Sequence, residues 1–108
     1  MNVNTKFNEA AAVDPVYFEK VIAEKSGGGI VNNPTEDLKP TTPLYAADGN
    51  HYSATPANED SAVVAILGTP VYAGVGDQPA KIVFSAVVRK ETAICTAEDV
   101  TNLGIYFS

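Results

Sequence analysis

The sequence predicts a mainly β domain with few short helices and an extended N-terminal arm. From Leu44 onward, short apolar runs alternate with clusters of Gly, Pro, Asn and Asp. Those runs are rich in Val, Ile, Tyr and Phe, which suit a pleated, half-buried surface. Eight glycines and seven prolines with no tryptophan, in 108 residues, imply many turns around a thin core. That length fits one domain with one modest core.

The composition changes near residue 40, dividing the chain into an arm over 1–40 and a β-rich domain over 41–108. The arm carries one helix signal, DPVYFEKVIAEKS, at about residues 14–26. Asp14 is a good N-cap, and Pro15 suits the first helical position, where its missing N–H costs nothing. Tyr17 and Val21, and likewise Phe18 and Ile22, are four apart and stack on one helical face. Gly27 to Gly29 end the helix by tolerating left-handed geometry. So short a helix is marginal alone, so its apolar face needs a partner. Pro34, Pro40 and Pro43 then hold an extended path.

In the domain, LYA and HYSA flank the turn Asp48-Gly49-Asn50. AVVAIL (62–67) and TPVYA (69–73) read as strands, and GVGDQP (74–79) as a turn. AKIVFSAVV (80–88) is the longest strand candidate, with Ile82, Phe84, Ala86 and Val88 on its core face. Thr96 caps a short helical segment, AEDVTNL, which Gly104 ends before a closing strand, IYF (105–107).

Seven basic and thirteen acidic residues give a net charge of −6, the wrong sign for gripping phosphate backbones. No run of ~20 apolar residues is present to span a membrane. The N-terminus lacks the basic start and apolar block of a secretion signal. Cys95 is the only cysteine, with no disulfide or zinc partner, and reads as a small half-buried side chain in a protein made in a reducing cytoplasm.

One compact titratable cluster stands out: Asp48, three residues before the lone histidine, His51. General base catalysis needs a histidine oriented by a carboxylate and facing a nucleophile. Here Asp48-Gly49 is a hairpin signal instead, and strand alternation turns His51 and Tyr52 to opposite faces, with His51 solvated at the rim. GVGDQPAK lacks the phosphate-loop spacing and precedes a strand, not a helix. The acidic pairs Glu36-Asp37, Glu59-Asp60 and Glu98-Asp99 lack metal-loop spacing. The expectation is therefore a binding or structural protein, not an enzyme, with no cofactor and no metal.

Residues 41–107 resemble the head decoration proteins of lambda-type tailed phages. TTPLYAADGNHYSA is similar to the family's entry and first hairpin, and NEDSAVVAILGTPV to its acidic turn followed by small and apolar residues. QPAKIVFSAVVRKETAI is similar to the strand that runs into a polar tail, and EDVTNLGIYF to the last turn and closing strand. The resemblance implies a small β-tulip-like fold and a homotrimer on the outer surface of the expanded capsid, at three-fold positions. There it would bind the major capsid protein and cement the shell against packaged DNA, with no nucleic-acid or membrane partner. It also implies an arm that becomes ordered on the shell. The capsid-binding candidates are then Val3, Lys6 and Phe7 in the arm and Tyr17, Phe18, Val21 and Ile22 in the helix. Two departures are visible: a longer N-terminal segment with a helix signal, and no tryptophan near the closing strand. Alternatives are the base of a capsid fibre or spike, and a small carbohydrate- or protein-binding β module.

Overall fold

The structure is a computed structural model that describes residues 14–108, and every regular element among them is a strand. The strands are β1 (Phe18–Glu24), β2 (Gly29–Val31), β3 (Pro43–Ala46), β4 (His51–Ser53), β5 (Val63–Leu67), β6 (Gln78–Ala80), β7 (Ile82–Val88) and β8 (Gly104–Phe107). They form one sheet in the order β1-β7-β5-β3-β4-β2-β6, with β8 also paired to β7. Lys81 alone separates β6 from β7. The strand at one end of the order therefore runs straight into the strand near the other end, and the sheet curls into a half-barrel.

β7 is the hub, as its long Val- and Ile-rich run suggests. One edge pairs with β1 from Phe18–Val88 to Glu24–Val83. The other edge is shared: Ile82 and Val83 pair with β5, and Ser85 to Val88 pair with β8 in parallel. Two apolar clusters result. Phe18, Ile66, Val83, Ala86, Val88, Cys95 and Val100 form one. Val31, Leu38, Leu44, Ala65, Leu67, Val71 and Ile82 form the other, with Phe84 packed against it. The expected core face is met by Ile82, Ala86 and Val88, all fully buried, while Phe84 is half-buried.

The helix expected over 14–26 is not formed. Its capping chemistry is present: the Val16 N–H donates to Asp14 Oδ1 at 2.9 Å, and the Tyr17 and Phe18 N–H groups donate to Asp14 O at 3.0 Å. That closes a single turn, after which β1 begins. Pairing with β7 provides the ladder that a short isolated helix lacks. The helix-like spacing has its own cause. Register shifts between Phe18 and Lys20, and again between Val21 and Ala23, mark bulges in β1. An extra residue breaks the two-residue alternation, so Phe18 and Val21, three apart, both reach the same cluster.

The boundary at residue 40 is corrected for the same reason. Phe18, Val31 and Leu38 are buried with residues of the later strands, so the sheet domain includes β1 and β2. The segment 97–103 is a succession of turns, not a helix. Thr96 and Asp99 do bond reciprocally, at 2.9 and 3.3 Å, but β8 begins at Gly104 before a helix can propagate. TPVYA supplies only a bridge, Val71 to Leu38.

The turn at residues 47–51 forms as expected. Ala47 N–H donates to His51 O and His51 N–H to Asp48 O, each at 3.0 Å, and Gly49 takes φ 60°, the left-handed region glycine favours.

Candidate interaction surface

His51 and Asp48 meet only through the backbone of the turn. The imidazole turns to β2's flank, where Nδ1 lies 2.6 Å from Asn32 Oδ1. An amide oxygen can only accept, so Nδ1 carries the proton. His51 is half-buried, not solvated at the rim as expected. An open hollow of about 570 Å³ beside it is lined by Asn32, Asp48, Ser53 and Thr55. The hairpin and the pairing of β2 with β4 position this histidine, and among the described residues no carboxylate bonds its ring.

The arm candidates Val3, Lys6 and Phe7 lie outside the described residues. Of the four helix candidates, Phe18 is 2% exposed and belongs to the core, while Tyr17 and Val21 pack half-buried against the same cluster. Ile22 alone stands out, 51% exposed, because the bulge leaves it on the far side of β1 from the cluster.

Other large apolar side chains are as exposed: Val16, Tyr72, Val75, Ile94 and Tyr106. Contacts between segments bring the backbone stretches that carry four of them together. Thr92 Oγ1 donates to Val16 O at 2.5 Å. Two residues on, Ile94 lines a hollow of about 300 Å³ with Glu36, Asp37 and Lys39. Asp37 Oδ1 accepts from Ala73 N–H at 2.9 Å, next in sequence to Tyr72. The hollow beside Ile94 thus carries charges of both signs.

Beneath Ile94 sits Thr41, fully buried at φ 76°. A β-branched residue is an outlier in that region. It is held there on two sides: its N–H donates to Leu67 O, and its Oγ1 accepts the Ile94 N–H, both at 2.7 Å. Strain of about 1–3 kcal/mol persists only where surrounding structure over-determines it, and here it fixes the base of the Ile94 loop.

Cys95, next along, is buried, and loss of solvation pushes its thiol up to about 11; Asp99 adds to the rise and a backbone hydrogen bond opposes it. A thiol so shifted is protonated and unreactive at neutral pH. Among the described residues, no three of His, Cys, Asp and Glu converge to hold a metal, and no helix is long and apolar enough to cross a membrane.

Sequence reasoning passed over Val75 and Ile94, though each carries a local signal. Val75 lies between Gly74 and Gly76, both at positive φ, at a turn tip with no route inward. Ile94 lies next to the buried Cys95 in a bend, and is itself 46% exposed. No family model, curated protein or solved structure matches the chain.

Proposed function

We propose that the chain is a phage capsid decoration protein, a homotrimer that binds the major capsid protein on the outside of the expanded head at three-fold positions. The observation that carries this reading is the number of exposed large apolar side chains on a small all-β body: Val16, Ile94, Tyr72 and Val75 on connected loops, with Ile22 and Tyr106 on strands flanking β7. Such side chains in clusters mark contact surfaces. The resemblance in element order supports the same reading, since its quoted segments include β3, β4, β5, β7 and β8 of this sheet. Cementing needs no reacting group. A protein that binds only the intact shell stabilises it by mass action, and three linked contacts raise apparent affinity by ~10²–10⁴.

Cryo-electron microscopy of the protein mixed with empty expanded capsids of the phage that encodes it tests the proposal. Density for three copies around each three-fold position is expected. Absence of bound protein at saturating concentration sinks the reading.

A further inference from the structure

Among the described residues, three strands have only one partner: β1 and β8 pair with β7 alone, and β6 with β2 alone. An edge strand presents unpaired N–H and C=O groups, and proteins blunt such edges with charge, proline, bulges or brevity. β1 carries Glu19, Lys20 and Glu24 and is bulged. β6 has three residues, with Pro79 at its centre. β8 reads Gly-Ile-Tyr-Phe: it has no charge and no proline, and its register with β7 is unbroken. Two edges are guarded and one is not.

The free groups on β8 can be assigned. Ser108 N–H donates to Val88 O at 2.9 Å, and Lys90 N–H donates to Ser108 O at 3.1 Å. A parallel ladder alternates, so Gly104, Tyr106 and Ser108 turn their backbone groups to β7. Ile105 and Phe107 turn theirs away, and among the described residues neither finds a backbone partner there. Their side chains pack against the Phe18 cluster, while Tyr106 is 60% exposed on the other face. A strand laid on this edge would extend the apolar layer on one face and lie beside the Tyr106 ring on the other.

We propose that the outer edge of β8 is a docking site for an extended segment of the coat protein, apolar at alternate positions and basic where it passes the turn that feeds β8. The main-chain bonds would run to Ile105 and Phe107, as in other strand additions. The basic end follows from the exposed Glu98 and Asp99 on that turn, whereas Lys90 gives the far end of β8 the opposite sign. A second copy is disfavoured as occupant: among the described residues its only unguarded edge is β8 itself, and β8 against β8 is a two-fold contact that three equal copies cannot share. The inference rests on the decoration reading.

Amide hydrogen exchange of the full chain, free and bound to empty expanded capsids, tests it. Ile105 and Phe107 are expected to exchange as unpaired amides when free and at least ~100-fold more slowly when bound. Tyr106→Lys, which installs a guarding charge on an exposed position, is expected to weaken co-sedimentation with capsids about tenfold without lowering the Tm. Capsid binding with no added protection at Ile105 and Phe107 overturns the docking site and leaves the decoration reading standing. Failure to bind capsids at all overturns both. Protection of both amides in the free protein also overturns it, because the edge is then covered by a second copy or by residues of this chain.

Discussion

His51 illustrates how a titratable residue can be placed by structure alone. Its ring bonds Asn32 from a half-buried position, which ties β4's start to the end of β2. His51→Ala should cost about 0.5–1.5 kcal/mol, the net worth of one such bond, read as a shift in the urea midpoint. Capsid binding should change by less than about tenfold; a larger loss would make His51 a contact residue. Cys95 gives a prediction with a sign. Burial raises its folded pKa from 9.0 to about 11, so the folded state holds the proton more tightly than the unfolded state does. The resulting stability is complete below pH 9 and is lost as pH rises through about 11. Stability measured from pH 8 to 11.5 should therefore fall less steeply in Cys95→Ala than in the parent. Equal slopes would show that the thiol makes no contribution.

At the scale of elements, β1 decides where the domain begins. Its Phe18 side chain is buried with Ile66, Val83 and Val88, so Phe18→Ala should cost about 3–5 kcal/mol by denaturant unfolding. Deleting residues 1–30 removes β1 and most of β2, and should abolish the cooperative thermal transition. The arm boundary read from composition implies the opposite, that the remaining domain melts normally. β5, β7 and β8 were legible because each is a run of apolar and β-branched or aromatic residues between turn formers, and β3 and β4 because they flank the Asp48-Gly49-Asn50 turn. β1 was not, because its bulges bring Tyr17, Phe18 and Val21 to one cluster, so the four-residue spacing of Tyr17 and Val21 looked helical, and Asp14-Pro15 supplied real capping chemistry. β2 and β6 were hidden by Gly29 and Pro79: three-residue strands held by neighbours show no period of their own. Of the exposed large apolar residues, only Ile22 was among the contact candidates read from the sequence. Exposure of Tyr72 or Tyr106 depends on which face the sheet leaves uncovered, which only the assembled topology decides.

The described residues form a body of 48 × 31 × 22 Å that carries six exposed large apolar side chains. A body of this kind makes several small contacts, each weak, and gains from being linked to its copies. The proposed assembly is therefore three copies per site, and binding to capsids should be steep in protein concentration if the copies join only on the shell. Single copies or dimers in capsid reconstructions would count against it.

The sharing of β7 among β1, β5 and β8 also governs how the chain is made. Phe18 meets Val88, and Val88 in turn meets Phe107, so the first strand waits for nearly the last. On a translating ribosome, β1 to β6 can emerge without their central ladder, and β7, which with β5 contributes to both clusters, arrives late. Contacts this distant in sequence close slowly. The sheet therefore closes only once β7 and β8 have been made, and until then the uncharged VVAIL and IVFSAVV segments are open to chaperones and to one another.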